Sequence, residues 1–190
     1  MSTTCEKLGQ TAMPLPGKLR PIEIGSLEIN PVTVFAKDWP LLTAGNEKTG
    51  YNTMTIAWGH IGAIWGKSGG IATPTVAVYV RPQRYTKGFM DSNEMFTVSV
   101  LPSTFKKELS YLGTASGRDE DKISKAGLTP VFHENATYFE EANLVLICRK
   151  IYNMPLTEEC FIDKAIVERN YPERDFHTMY FGEIVGVLQA

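Results

Sequence analysis

Four short segments concentrate residue types able to hold a charged, ring-bearing ligand: Tyr51-Asn52-Thr53-Met54-Thr55, Arg81-Pro82-Gln83-Arg84-Tyr85-Thr86-Lys87, Thr114-Ala115-Ser116-Gly117-Arg118 and His177-Thr178-Met179-Tyr180. The second and third combine arginines and hydroxyls with the start of an expected helix, whose unpaired N–H groups favour a phosphate. The first and fourth set amides and hydroxyls beside apolar side chains, which suits a flat ring. From residue types alone, the reading is a phosphate-bearing ligand at the mouth of a barrel. Each segment also has a purely structural use. Thr53 and Thr55 are β-branched residues suited to a strand, Arg81, Arg84 and Lys87 suit a solvated turn, and Ser116 to Asp119 suit a helix cap.

Other chemistries fail on spacing. Gly62, Gly66, Lys67 and Ser68 approach a phosphate-binding loop, but only three residues separate the glycines where four are needed, and Gly69-Gly70 and Pro74 follow where a helix should start. His133-Glu134 opens like a zinc-protease motif, yet Thr137 stands at the second histidine position. His60 and His177 are far apart in sequence and no cysteine or histidine has zinc-finger spacing, so no metal is expected. Cys148 alternates with Leu144 and Leu146 and reads as a core thiol. There is no Gly-x-Ser-x-Gly elbow for a serine hydrolase.

Bulk composition narrows the class. The 190 residues are 43% hydrophobic and 11% aromatic, close to the globular average, and fit one domain with an extension. Lys+Arg 19 against Asp+Glu 21 leaves a net charge of -2, too balanced for the basic field of a nucleic-acid binder. Cys5, Cys148 and Cys160 form no CxxC pair, and neither a signal-type apolar stretch nor a run of about 18 apolar residues occurs. The expectation is a cytoplasmic protein with no membrane and no nucleic-acid partner.

The elements that must position the four segments are mostly strands. Residues 1–30, with Pro14, Pro16, Gly17, Pro21 and Gly25, read as an irregular arm that frays or lies over a neighbouring subunit; residues 31–190 read as the folded domain. Short β-branched or aromatic runs between turn signals predict strands over Thr33–Ala36, Leu41–Ala44, Thr53–Trp58, Thr75–Val80, Phe96–Leu101, Leu144–Tyr152 and Thr178–Val187. The absence of βαβ alternation favours an antiparallel barrel over a doubly wound sheet. Tyr85 to Asp91 reads as a short helix. Ser103 caps a second, with Phe105, Leu109 and Leu112 as its buried stripe; Ser116 and Asp119 form the capping box of a third, stopped by Gly127. His60 to Gly70 reads as a long glycine-rich loop, a candidate lid. Period 2 puts Met54, Ile56 and Trp58 on one side of their strand and Thr53, Thr55 and Ala57 on the other. Thr75 to Val80 is apolar on both sides, which hints at a second copy covering it.

The residues Asn52 to Trp58, Val78 to Thr86, Ser116 to Lys122 and His177 to Glu183, in this order over roughly Thr33 to Val187, resemble the flavin reductase-like family of FMN-binding split barrels, near its flavoredoxin branch. The resemblance implies a mainly β, six-stranded antiparallel split barrel with a few short helices. It also implies a homodimer, noncovalent FMN and NAD(P)H as co-substrate. Carried over residue by residue, Asn52, Thr53, Met54 and Thr55 line the ring and ribityl chain, partly through backbone groups. Arg81, Arg84, Tyr85 and Thr86 hold the ribityl and phosphate end. Ser116, Gly117 and Arg118, with Lys122 behind them, close the pocket, and His177 faces the nicotinamide, as a partner of its amide or phosphate or as a neutral wall. No separate catalytic side chain is required, because the flavin carries the hydride.

Three functions follow: an NAD(P)H-dependent flavin reductase, a flavoredoxin-like carrier served by a partner redox protein, and a flavin-free binding module of the same fold.

Overall fold

Alternate side chains of the strands converge on one interior. The computed structural model describes residues 17–66, 70, 72–133 and 135–190. Its strands are β1 (Arg20–Ile22), β2 (Leu41–Asn46), β3 (Gly50–Thr55), β4 (Gly59–Gly66), β5 (Ala72–Val80), β6 (Met95–Val100), β7 (Pro130–His133), β8 (Ala136–Phe139), β9 (Leu144–Pro155) and β10 (Thr178–Gln189). One antiparallel sheet runs β3-β2-β6-β9-β10-β5-β4, with β1 added to β10, while β7 and β8 form a separate hairpin. Met54 near one end of this path, Val76, Val78 and Val80 near the other, and Phe96, Leu146 and Tyr180 between them pack into a single cluster. A sheet whose distant strands share one core must curl, and its end strands β3 and β4 do not pair with each other, so the barrel is split.

A second apolar layer lies outside β2, β6 and β9. Leu41, Val145 and Ile147 pack against Leu109 and Leu112 of helix α3 (Lys106–Thr114) and against the β7-β8 hairpin. Leu109 and Leu112 are fully buried, the stripe expected from their spacing. The helices α2 (Tyr85–Ser92) and α4 (Lys122–Lys125) sit in the loops at one end of the barrel.

Several local expectations change. Thr33–Ala36 is helical: α1 (Pro31–Thr33) runs into a wider turn over Val34–Asp38, because Asn30 accepts from the N–H groups of Val32 and Thr33 and Pro31 starts the helix. Cap and proline outweigh the β-branched composition. The strand expected over Thr53–Trp58 is β3, shifted toward the N-terminus by the turn at Asn46–Gly50, and Ile56 to Trp58 lead across to the far edge.

The loop expected over 60–70 is largely β4, paired with β5 from Gly59↔Val78 onward; Lys67, Ser68 and Gly69 lie outside the described residues. Its glycines have low strand propensity, but one is required by packing, since a Cβ on Gly59 would fall 2.2 Å from the Phe35 ring. The β7-β8 hairpin and β1 were not anticipated by composition. The described part of the expected arm packs on its own barrel, with Leu19 buried and β1 in the sheet; residues 1–16 lie outside the described set.

Two caps also differ. Ser103 lies inside a 3-10 turn (Ser103–Phe105) that leads into α3. Asp121, rather than Ser116, caps α4 by accepting from the Ser124 N–H, and Ser116 Oγ instead accepts from the Arg118 N–H in a tight turn. Gly127, at φ 66°, does end the helical segment. Finally, Val76, Val78 and Val80 on one side of β5 belong to the core, and Ala77 on the other side is buried as well.

Candidate functional site

Two adjoining cavities open at the barrel end where α2, the end of α3 and α4 meet β3. The first, about 290 Å³, is lined by Asn52 and Met54 of β3, Arg84 to Thr86 at the start of α2, and Thr114 to Ser116, Arg118 and Lys122 after α3. The second, about 200 Å³, shares Met54 and Arg84 with the first and continues along Thr55, Trp58, Tyr79, Arg81 and His177.

The first cavity carries three cationic side chains, Arg84, Arg118 and Lys122, against one carboxylate, Asp119. Arg84 at the α2 N-cap donates to the Gly113 carbonyl at 2.8 Å, and Arg118 lies 4.9 Å over the Tyr85 ring while donating to the Gln83 carbonyl. Lys122 is only 3% exposed, and its ammonium donates to the carbonyls of Leu112 and Ala115, both at 2.9 Å. These carbonyls end α3, where the helix dipole favours a positive charge. An ammonium has three donors, so one is left for a ligand. Burial, reinforced by the Arg84 charge and opposed by Glu120, lowers the Lys122 pKa to about 8. α2 begins here without a side-chain cap, which leaves N–H groups of its first turn for an anion.

Asn52 ties the walls together. Its side-chain amide donates to Thr86 Oγ1 at 2.8 Å and to the Thr53 carbonyl at 3.2 Å, so β3 and α2 keep a fixed spacing. Gly117 is packed on it: a Cβ there would lie 2.4 Å from Asn52 Oδ1 and 3.0 Å from the Tyr85 ring. Glycine is needed for this close approach.

The second cavity is aromatic and uncharged at its floor. The His177 ring lies 4.7 Å from Trp58 and its Nδ1 is 2.8 Å from the Tyr171 hydroxyl. Burial, reinforced by the charges of Arg81 and Arg84 and opposed by Asp175, lowers the His177 pKa to about 4, so the ring is neutral at physiological pH. Arg81 forms an ion pair with Asp175, donates to the Asn170 carbonyl at 2.7 Å and lies 5.2 Å over the Tyr171 ring. Burial would raise the Asp175 carboxyl, but hydrogen bonds from Gln83 and Arg81 hold it below the ordinary aspartate value.

Most of the expected site residues therefore come together. Asn52, Met54, Arg84, Tyr85, Thr86, Ser116, Arg118 and Lys122 line the first cavity, and Thr55, Arg81 and His177 the second. Thr53 and Gly117 line neither. The Thr53 hydroxyl is buried against Thr43 Oγ1 at 2.8 Å, leaving only its backbone for a ligand, and Gly117 acts by making room for Asn52. Trp58, Tyr79, Tyr171 and Asp175 were missed. Trp58 and Tyr79 lie within the motifs Asn52 to Trp58 and Val78 to Thr86 but were given no role there, whereas Tyr171 and Asp175 sit in a stretch, 155–175, without local pattern. Cys148 is fully buried with its thiol pKa raised by burial, as a core residue should be.

A cation-rich cavity joined to an aromatic one at the end of a split barrel suits a ligand with an anionic end and a flat ring, and comparison with known proteins gives the family. The flavin reductase like domain model matches residues 35–190, and the chain belongs to that family. No curated protein sequence matches it. Among solved structures it is similar to the flavoredoxin from Methanosarcina acetivorans, at 21% identity and TM-score 0.59, over 80% of this chain and 68% of that one. The flavoredoxin of Desulfovibrio vulgaris (Miyazaki F) matches at 21% identity and TM-score 0.59, over 100% and 77% of the two chains. An FMN-binding domain of a flavin reductases-like enzyme from Shewanella baltica matches at 14% identity and TM-score 0.61, over 91% and 78%. These likenesses support the fold.

Proposed function

We propose that the chain is an oxidoreductase that binds FMN noncovalently and passes electrons from NAD(P)H to an acceptor. The observation that carries the reading is the continuity of the two cavities through Met54 and Arg84: a phosphate-suited cationic end leads directly to an aromatic, neutral end. Arg84, Arg118, Lys122 and the Thr86 and Ser116 hydroxyls supply the donors a phosphate needs, and Met54, Thr55 and Trp58 supply walls for a ring. Bound FMN would supply the hydride and electron chemistry, leaving binding, orientation and electrostatics to the protein. The test is a visible absorption spectrum of purified protein before and after anaerobic NADH or NADPH. Flavin bands that bleach with nucleotide are expected; a colourless protein that ignores added FMN would sink the proposal.

A second reading, an electron carrier served by a partner redox protein, draws on the two flavoredoxins among the similar structures. Stopped-flow reduction separates the two: faster reduction by a ferredoxin-type donor than by nucleotide favours the carrier. The free thiols of Cys148 and Cys160 fit a reducing, cytoplasmic setting for either.

Arg84→Ala is expected to weaken FMN binding by about 1.5–3 kcal/mol, the range of a charge-assisted hydrogen bond. An unchanged dissociation constant in fluorescence titration would place Arg84 outside the site.

We also propose a homodimer, formed on the outer side of β4, β5, β10 and β9. Trp65, Phe181 and Tyr152 make an edge-packed trio there, with centroids 5.7, 5.8 and 6.2 Å apart, and Trp65 is 50% exposed. Tyr79, whose neighbours in the ladder lie on this side, also lines the second cavity, so a second copy on this face would border the site. Light scattering at micromolar protein should give a dimer mass, and Tyr152→Glu should shift it to monomer. A monomeric native protein refutes the assembly.

A further inference from the structure

The residue facing the second cavity has a partner that decides its chemistry. His177 is 9% exposed and precedes β10, where its carbonyl accepts from the Leu156 N–H at 2.8 Å, which fixes the backbone. Its ring is flanked by Trp58 on one side and approached edge-on by Tyr171, whose hydroxyl stands 2.8 Å from Nδ1. Tyr171 itself is 2% exposed and immobilised between Phe161 and Phe176, with ring centroids 5.8 and 4.8 Å away.

The direction of the Tyr171–His177 bond follows from hydrogen-bond chemistry. A phenol is a better donor than acceptor, and the unprotonated nitrogen of a neutral imidazole is a stronger acceptor than a phenol oxygen. Among the described residues Tyr171 has no other acceptor for its proton. The phenol therefore donates to Nδ1, and the single proton of the neutral ring is on Nε2.

We propose that Tyr171 is a positioning residue that holds His177 as the uncharged, Nε2-protonated tautomer, so that the second cavity presents a neutral donor suited to a carboxamide oxygen rather than a cation suited to a phosphate. The proposal rests on the reductase reading for the identity of that acceptor, the nicotinamide amide, whereas the tautomer follows from the Tyr171 hydroxyl at Nδ1 together with the burial of the ring. The charged groups around the ring act consistently with it. Arg81 at the end of β5 and Arg84 at the start of α2 oppose a second positive charge. Asp175, which would favour one, is engaged by Arg81 and Gln83. Tyr79 of β5 adds only a neutral phenol.

The experiment is a long-range 1H–15N correlation spectrum of the histidine rings in the full chain, native and Tyr171→Phe, between pH 5 and 8, with His177 assigned through a His177→Gln variant. The native ring should be Nε2-protonated and neutral throughout. In Tyr171→Phe, which keeps the aromatic packing, an Nδ1-protonated population should appear. A native ring protonated on Nδ1, or one whose titration midpoint falls between pH 5 and 8, overturns the proposal.

Steady-state kinetics supply the second readout. Tyr171→Phe should raise the KM for the nicotinamide nucleotide about three- to tenfold with little change in kcat, the effect of one hydrogen bond made equally to ground and transition states. In a His177→Gln background, where the donor no longer depends on a tautomer, the same substitution should change KM by less than about twofold. An equal effect in both backgrounds would mean that Tyr171 only shapes the cavity, and would refute the positioning role. If the native protein turned over neither nucleotide, the reductase reading would fall while the spectra still decided the tautomer.

Discussion

Lys122→Met is expected to lower FMN affinity by about 10- to 100-fold while leaving the chain folded, the range of one charge-assisted hydrogen bond in a partly dehydrated site. The methionine keeps an apolar stem beneath the first cavity. It removes the donor to the Leu112 and Ala115 carbonyls together with a positive charge that the buried site tolerates poorly, and these losses and gains in stability oppose each other. Lys122→Ala, which also leaves a void, should cost more stability for the same loss of binding. Fluorescence quenching of FMN on binding, alongside urea denaturation of the flavin-free protein, measures the two effects separately.

The same lysine sets opposite pH dependences for folding and for binding. Its pKa falls from 10.5 in the unfolded chain to about 8 in the folded one, so between these values the unfolded state holds more protons. The contribution of Lys122 to stability therefore rises as pH climbs from about 8 toward 10.5, when the buried ammonium is discharged. A phosphate needs the charged form, so FMN affinity should be level near pH 7 and decline above about 8. In Lys122→Met both dependences should vanish. Persistence of the binding decline in that variant would assign it to another group and remove Lys122 from the phosphate end.

Gly117→Ala carries the second large effect, and it needs no lost charge. The added methyl would lie 2.4 Å from Asn52 Oδ1, well inside contact distance, with the Tyr85 ring at 3.0 Å on its other side. Asn52 is not a flexible surface chain that can swing away, since its amide bridges Thr86 Oγ1 and the Thr53 carbonyl in a buried position. Relief would come by moving the Ser116–Arg118 turn outward, pulling Ser116 and Arg118 from the cavity. Overpacking of this kind costs about 1–3 kcal/mol, and FMN affinity should fall by about tenfold or more. Calorimetric titration with FMN is the measurement; native affinity in the alanine variant would mean that the turn relaxes without disturbing the site.

Legibility varied with the range of the interaction that decides each feature. The stripe Phe105, Leu109 and Leu112 was readable because helical spacing is local, and Cys148 because strand alternation is local. Thr33–Ala36 is helical for a reason also local but weaker in composition than in position: one asparagine cap and one proline outweigh the three strand-favouring residues Thr33, Val34 and Phe35. β4 was hidden because its glycines oppose a strand intrinsically and only pairing with β5 holds them in one. The cation-rich segments of the site were visible as polar clusters beside strand ends, since few other arrangements place so many donors together.

By itself, the sequence determined the segments that carry ligand-binding groups, the antiparallel character of the barrel and the periodic side chains that fill it, because each depends on residue types within a few positions of one another. Only the tertiary structure decided how those groups are spent. It paired Arg81 with Asp175 across 94 positions, turned the Thr53 hydroxyl toward Thr43, buried Lys122 under the end of α3 and brought Tyr171 to His177. A hydrogen bond or ion pair is set by strand register and by which surfaces meet when the chain closes on itself. Those distances do not exist until the barrel has formed.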